Sequence, residues 1–107
     1  MILNKFKIKE KVLKNRIFIS PMCQYSSENG NPSKWHYKHL LNLSSSGAAM
    51  IILESTAVDK NGRITPADLC LYNYHHQKNL KKLYSFLKSN NDTKIGIQIS
   101  HSGRKGS

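Results

Sequence analysis

Ser20-Pro21-Met22-Cys23-Gln24-Tyr25 sets a thiol and a phenol two residues apart, directly after the short apolar run Ile17-Phe18-Ile19. That run has the pattern of a strand, and Pro21 stops it because proline has no N–H to give to a sheet ladder. Reactive side chains therefore stand where a buried strand opens into a loop. In barrels built from parallel strands, that edge carries the chemistry. A thiol there can act as a nucleophile, a redox sensor or a cofactor contact, or pack as a small hydrophobe, and position alone leaves these readings open. If the chain stays extended past Pro21, Tyr25 faces the same way as Cys23. Its phenol then suits a hydrogen bond to a ligand carbonyl, or the plainer part of an interfacial tyrosine.

A second segment matches the first in kind. Ile95-Gly96-Ile97-Gln98-Ile99 opens into Ser100-His101-Ser102-Gly103-Arg104-Lys105. Alternation puts Ile95, Ile97 and Ile99 on one face of a strand and Gly96, Gln98 and Ser100 on the other. A primary amide such as that of Gln98 offers a donor and an acceptor together, which suits the edge of a flat heterocycle, or it bonds to neighbouring strands. The cations after His101 can hold a phosphate or a substrate anion, or remain exposed charges. His36 and His39 lie three apart on a helical segment, a spacing that permits a shared metal but lacks further ligands. His75-His76 reads as structural and Cys70 as packing.

The elements that must position these residues follow from the pattern. Lys5–Leu13 alternates loosely between apolar and basic residues, as in a small hairpin exposed on one face. Ile17–Ser20 reads as a strand, and the turn-rich stretch from Ser26 leads to Ser33, a suitable N-cap for a helix from Lys34 to about Ser46, stopped by Gly47. Met50–Ser55 is apolar on both faces, the habit of parallel strands covered on both sides. After an Asn61-Gly62 turn, Asn73 can cap a helix from His75 to about Ser89, with Leu80, Leu83, Tyr84 and Leu87 in one stripe. Lys94–Ile99 is the third strong strand. The order hairpin, β, α, β, α, β implies right-handed crossovers and a parallel sheet.

The chain has 107 residues, 38% of them hydrophobic, with Lys+Arg 17 against Asp+Glu 6 and a formal net charge of +11. That balance favours anionic partners, but the basic residues are spread along the chain with little aromatic interleaving and no recognised nucleic-acid motif. No window approaches the ~18 consecutive apolar residues of a membrane span. No secretory signal is visible at Met1-Ile2-Leu3-Asn4-Lys5. Cys23 and Cys70 have neither metal-ligand spacing nor disulfide density, so a reducing cytoplasm is the default. No Gly-x-Gly-x-x-Gly run or phosphate-binding loop is present. Three parallel strands with two helices leave an open edge, and a (β/α)8 barrel takes ~250 residues. The expectation is the opening part of a longer enzyme.

Four segments in order carry a resemblance: Leu13-Lys14-Asn15-Arg16-Ile17; Ser20 to Tyr25; Ala57-Val58 with Gly62-Arg63-Ile64-Thr65; and Ile95-Gly96-Ile97-Gln98 with His101 to Lys105. Together they resemble the old yellow enzyme family of flavin-dependent ene-reductases, in its bacterial NADPH dehydrogenase or thermophilic-like branch. The resemblance implies an α/β chain of the (β/α)8 TIM-barrel class. It would comprise the N-terminal hairpin, the first three parallel strands and two helices, with residues 1–107 as the N-terminal part of one FMN-binding domain. It implies FMN as cofactor and NADPH or NADH as hydride donor. The substrate would be a small enone-type molecule, an α,β-unsaturated carbonyl, and the full-length enzyme a soluble homo-oligomer. Ser20, Pro21, Met22 and Cys23 would line the flavin, with Cys23 tuning its redox potential. Tyr25 would meet the substrate carbonyl, Ser55 would approach the flavin, and Gln98 would bond the pyrimidine edge of the ring.

Ser55 and Ser102 stand where the branch often has alanine. The family's substrate-binding His/His or His/Asn pair, proton-donor tyrosine and phosphate-binding arginine would lie past residue 107, so the chain alone is expected to be inactive. Another FMN barrel, such as a tRNA dihydrouridine synthase, would also account for the basic charge, and a small basic nucleic-acid binder is the alternative outside enzymes. The Cys23–Tyr25 spacing and the His101–Lys105 loop fit the ene-reductases better.

Overall fold

The computed structural model describes residues 1–105. The last two residues of the expected 1–107 domain lie outside them. The chain opens with an antiparallel hairpin, β1 (Phe6–Ile8) and β2 (Lys11–Leu13), turned through Lys9 at φ 52°. Most of the hairpin is exposed, on both faces rather than one. Leu13 is its buried anchor, and Arg16 stacks its guanidinium over Phe6 at 4.4 Å. Asn15 then fastens the chain to the sheet. Its buried side chain donates to Gly47 O (2.8 Å) and accepts from the N–H groups of Ile17 (2.9 Å) and Ala49 (3.1 Å), so the first strand and the start of the next are held in register by one amide.

The main sheet is parallel and built around β4 (Met50–Ala57). Along one edge of it runs β6 (Lys94–Ser100). The other edge is shared end to end by β3 (Phe18–Ile19), paired at Met50 and Ile51, and β5 (Leu69–Cys70), paired at Thr56 and Ala57. The expected strand–helix alternation is present, with two corrections. β3 is shorter than Ile17–Ser20, because from Ser20 onward the chain leaves the sheet. There are four parallel strands among the described residues rather than three, because β5, with two residues, is too short to show periodicity.

Helix α1 (Lys34–Ser44) ends two residues earlier than expected, with its cap at Ser45 ahead of Gly47 (φ 97°). Helix α2 (Tyr74–Asn90) begins one residue before the expected His75, directly behind its expected cap Asn73, whose side chain accepts from His76 N–H at 2.9 Å. Both helices pack on one face of the sheet. Leu40 of α1, Leu83 and Leu87 of α2, and Ile51 and Leu53 of β4 form the buried cluster, with Ile19 and Ile95 against it. Fully burying such side chains contributes roughly 1.5–3 kcal/mol each.

The opposite face carries Phe18, Met50, Ile52, Gly96 and Gln98, and no described helix covers it. The expectation that Met50–Ser55 is covered on both sides is thus met on one side only. Met50 and Ile52 are half-buried, and Phe18 is 42% exposed.

One irregularity decides the site. Between Leu53↔Ile97 and Thr56↔Ile99, β4 advances three residues while β6 advances two. This β-bulge reverses the alternation past Leu53 and re-aims the side chains that follow. Glu54 turns to the helix side, where it meets His36 of α1. Ser55 turns to the bare face, where its hydroxyl bonds that of Ser100.

Candidate functional site

The candidate residues sit at the C-terminal ends of the parallel strands. After β3, Ser20 and Met22 are exposed and Pro21 and Cys23 half-buried. The segment is not extended throughout. Tyr25 adopts φ 51°, in the left-handed region, and is 52% exposed. Cys23 and Tyr25 remain neighbours all the same. Negative charge on the neighbouring Cys23 sulfur is the main influence raising the Tyr25 phenol above its usual 10.0, followed by lost hydration, with smaller contributions from the carboxylates of Asp68 and Glu54. The phenol therefore stays protonated, a hydrogen-bond donor, through and beyond neutral pH.

Gln24, between the two, is tied on every side. Its backbone N–H donates to Glu54 Oε2 at 3.3 Å, its side-chain NH2 donates to Met22 O at 2.9 Å, and its side-chain Oε1 accepts from Trp35 Nε1 at 2.9 Å. Glu54 Oε1 lies 2.9 Å from His36 Nε2. The Ser33 N–H donates to His36 Nδ1 at 3.0 Å, as in a capping box with histidine at the third helical position. With Nδ1 accepting, the ring proton sits on Nε2 and is donated to Glu54.

On β6, Gln98 is exposed, and its amide has no hydrogen-bond partner among the described residues. It shares its face with Gly96 and, through the bulge, with the Ser55–Ser100 hydroxyl pair. The loops after β4 and β6 are bound together. Ser102 N–H donates to Gly62 O at 2.8 Å and Ser102 Oγ to Arg63 O at 2.9 Å, while a Cβ at Gly62 would lie 2.7 Å from the His101 ring. Glycine is what lets these loops touch. His101 accepts from Gly103 N–H, and Arg104 is exposed.

Of the other sequence candidates, His39 stays at the rim, lining a small hollow with Ser20, Met22 and Gln24. His39 stacks on Trp35 at 5.6 Å. His76 is buried and bonds Asn29 O at 3.0 Å, whereas its neighbour His75 is exposed. Cys70 is buried against Gly30, and burial pushes its thiol up, with Arg63 lowering it less. Sequence reasoning missed Glu54 as part of the site, weighed His36 only as a metal ligand without partners, and placed Ser100 only as sharing the Gln98 face. A carboxylate closing an apolar strand, and a histidine three places after an N-cap serine, were the available signals.

A parallel sheet with helices on one face and polar groups at its carboxyl ends defines the class: an open α/β arrangement of the kind from which β/α barrels are built. The model of the NADH:flavin oxidoreductase / NADH oxidase family matches residues 2–107, and the chain belongs to that family. It is 42% identical over 106 residues to an NADPH dehydrogenase of Listeria welshimeri, covering 97% of this chain and 31% of that protein. It is 43% identical over 93 residues to an NADH:flavin oxidoreductase of Gibberella zeae, covering 87% of this chain and 22% of that protein. The chain thus spans less than a third of the length of these relatives. Its fold matches part of morphinone reductase in complex with tetrahydroNAD (TM-score 0.87, 17% identity, 98% of this chain and 28% of that one). It also matches part of the old yellow enzyme of Trypanosoma cruzi (TM-score 0.86, 23% identity, 98% and 28%).

Proposed function

We propose that residues 1–107 form the N-terminal part of a single FMN-binding barrel domain in a NAD(P)H-dependent oxidoreductase that reduces activated alkenes such as α,β-unsaturated carbonyls. The observation that carries this reading is the bare face at the strand ends. There an unspent Gln98 amide and the Ser55–Ser100 hydroxyls share a surface floored by Gly96, and the Cys23–Tyr25 thiol and phenol stand on the strand-end segment that follows β3. These groups fit a flat, polar-edged ring: an amide that both donates and accepts, and a glycine that leaves the floor low.

FMN bound there would supply the hydride-transfer chemistry. The chain's own part is to bind and orient. Gln98 would hold the ring edge, with Ser20, Pro21, Met22 and Ser55 lining the ring. Of the two hydroxyl protons in the Ser55–Ser100 pair, one is spent within the pair and the other is free to point at a ligand. Tyr25, protonated at neutral pH, would donate to the substrate carbonyl, and Cys23 beside it would contact the ring and tune its potential.

Expression of the complete reading frame tests this. The expected product is yellow, bleaches with NADPH and regains its colour on addition of an enone. A colourless product that retains RNA overturns the reading in favour of a basic nucleic-acid binder.

A further inference from the structure

The function proposed above makes no use of Glu54 and His36, yet their side chains are only 4% and 1% exposed and lie 2.9 Å apart. A buried carboxylate loses hydration that a neutral imidazole restores only in part, so apolar side chains of the same volume would stabilise this place better. Hydrocarbon would fill this place, but it could not accept an N–H. The carboxylate divides its oxygens between two partners: Oε1 takes the His36 Nε2 proton, and Oε2 takes the backbone N–H of Gln24. Both nitrogens of His36 are spent, one on Glu54 and one on the Ser33 N–H, so the ring cannot turn. Next to it on α1, Trp35 fixes the Gln24 side chain, which in turn holds Met22 O. Every one of these ties converges on the residue between the thiol and the phenol. Immediately after it, Tyr25 sits at φ 51°, a conformation that side-chain-bearing residues avoid and keep only where neighbours impose it.

We propose that the buried Glu54–His36 pair is a positioning device, which fixes the backbone of Gln24 and thereby the directions of Cys23 and Tyr25. Glu54 serves because the β-bulge brings it to the helix side, within reach of both α1 and the segment after β3. The catalytic value of this placement rests on the function proposed above. The placement itself does not.

The test uses the flavin-free chain and its two thiols. Cys23 is half-buried and Cys70 fully buried, so Cys70 reports global opening and Cys23 the local segment. In Glu54→Gln, a single remaining acceptor oxygen replaces the two of the carboxylate. The expected result is a roughly tenfold faster reaction of Cys23 with an aromatic disulfide reagent, with Cys70 still protected. Fluorescence of Trp35, the chain's single tryptophan, should shift with it. His36→Gln keeps a donor and an acceptor at the capping-box position and should leave Cys23 at its original rate, whereas His36→Leu should behave like Glu54→Gln. Trp35→Phe removes an exposed tie without touching the buried pair, and should speed Cys23 by a smaller factor. The proposal is overturned if Cys70 opens in step with Cys23 in Glu54→Gln, or if Cys23 keeps its rate in Glu54→Gln. With no flavin in the assay, either result leaves the cofactor reading standing, and a colourless full-length product leaves this one standing.

Discussion

The two faces of the main sheet use the same strands for opposite purposes. One is covered by α1 and α2 and closes over Leu40, Ile51, Leu53, Leu83 and Leu87, of which Ile51 and Leu83 are fully buried. The other is bare, and it presents Phe18, Gly96, Gln98 and the Ser55–Ser100 pair. The covered face is where apolar area leaves water, so it supplies stability. The bare face keeps polar groups unspent, so it can supply recognition. The proposed function draws on the face where the local fold leaves hydrogen-bonding capacity over.

The division can be broken by mutation. The largest effect is expected on the covered face. Leu83→Ala should cost about 2–5 kcal/mol in chemical denaturation, from lost burial and the cavity left behind. If the two faces are separate in role, Gln98→Ala should leave stability within about 0.5 kcal/mol, and in the full-length protein it should weaken FMN binding roughly tenfold or more, read by flavin titration. A large loss of stability in Gln98→Ala would show that the bare face is structural after all.

A smaller effect is expected with pH. Burial raises the Cys70 thiol in the folded chain above its usual 9.0. From about that value upward the unfolded chain loses this proton first and binds fewer protons than the folded one, so stability falls as pH rises. Cys70→Ala should flatten that alkaline slope in denaturation curves measured on either side of pH 9.0. The smallest structural effect belongs to Cys23→Ala. In the full-length protein it should shift the flavin potential and the substrate affinity while FMN stays bound; an unchanged potential with lost flavin would count against the tuning role of Cys23.

Much of this was legible in the residues. The stripe of α2 through Leu80, Leu83 and Leu87, the cap at Asn73 and the strand at Lys94 are local patterns that survive into the fold, although Tyr84 of the expected stripe is 49% exposed. The alternation that sets Gln98 on one face with Gly96 and Ser100 also held, because β6 is regular through those positions. Ser55 was a different matter. Plain alternation from Ile51 puts it on the helix side, and only the bulge, which depends on how β4 meets β6, turns it to the bare face. Cys23 and Tyr25 were expected together on an extended chain. They are together, but through a left-handed residue held beside an anchored glutamine. β5 and the contact between Gly62 and His101 are long-range pairings of short segments, which no window of sequence contains.

By itself, then, the sequence determined the order of the longer elements, without β5, the apolar stripe of α2 and the identity of the groups at the strand ends, since these depend on residue type and on periods of 3.6 and 2. Only the tertiary structure decided which way Glu54 and Ser55 point, and that His36 and Trp35 of a helix hold the residue between the thiol and the phenol. Those outcomes depend on one extra residue in a strand pairing and on hydrogen bonds between groups far apart in the chain.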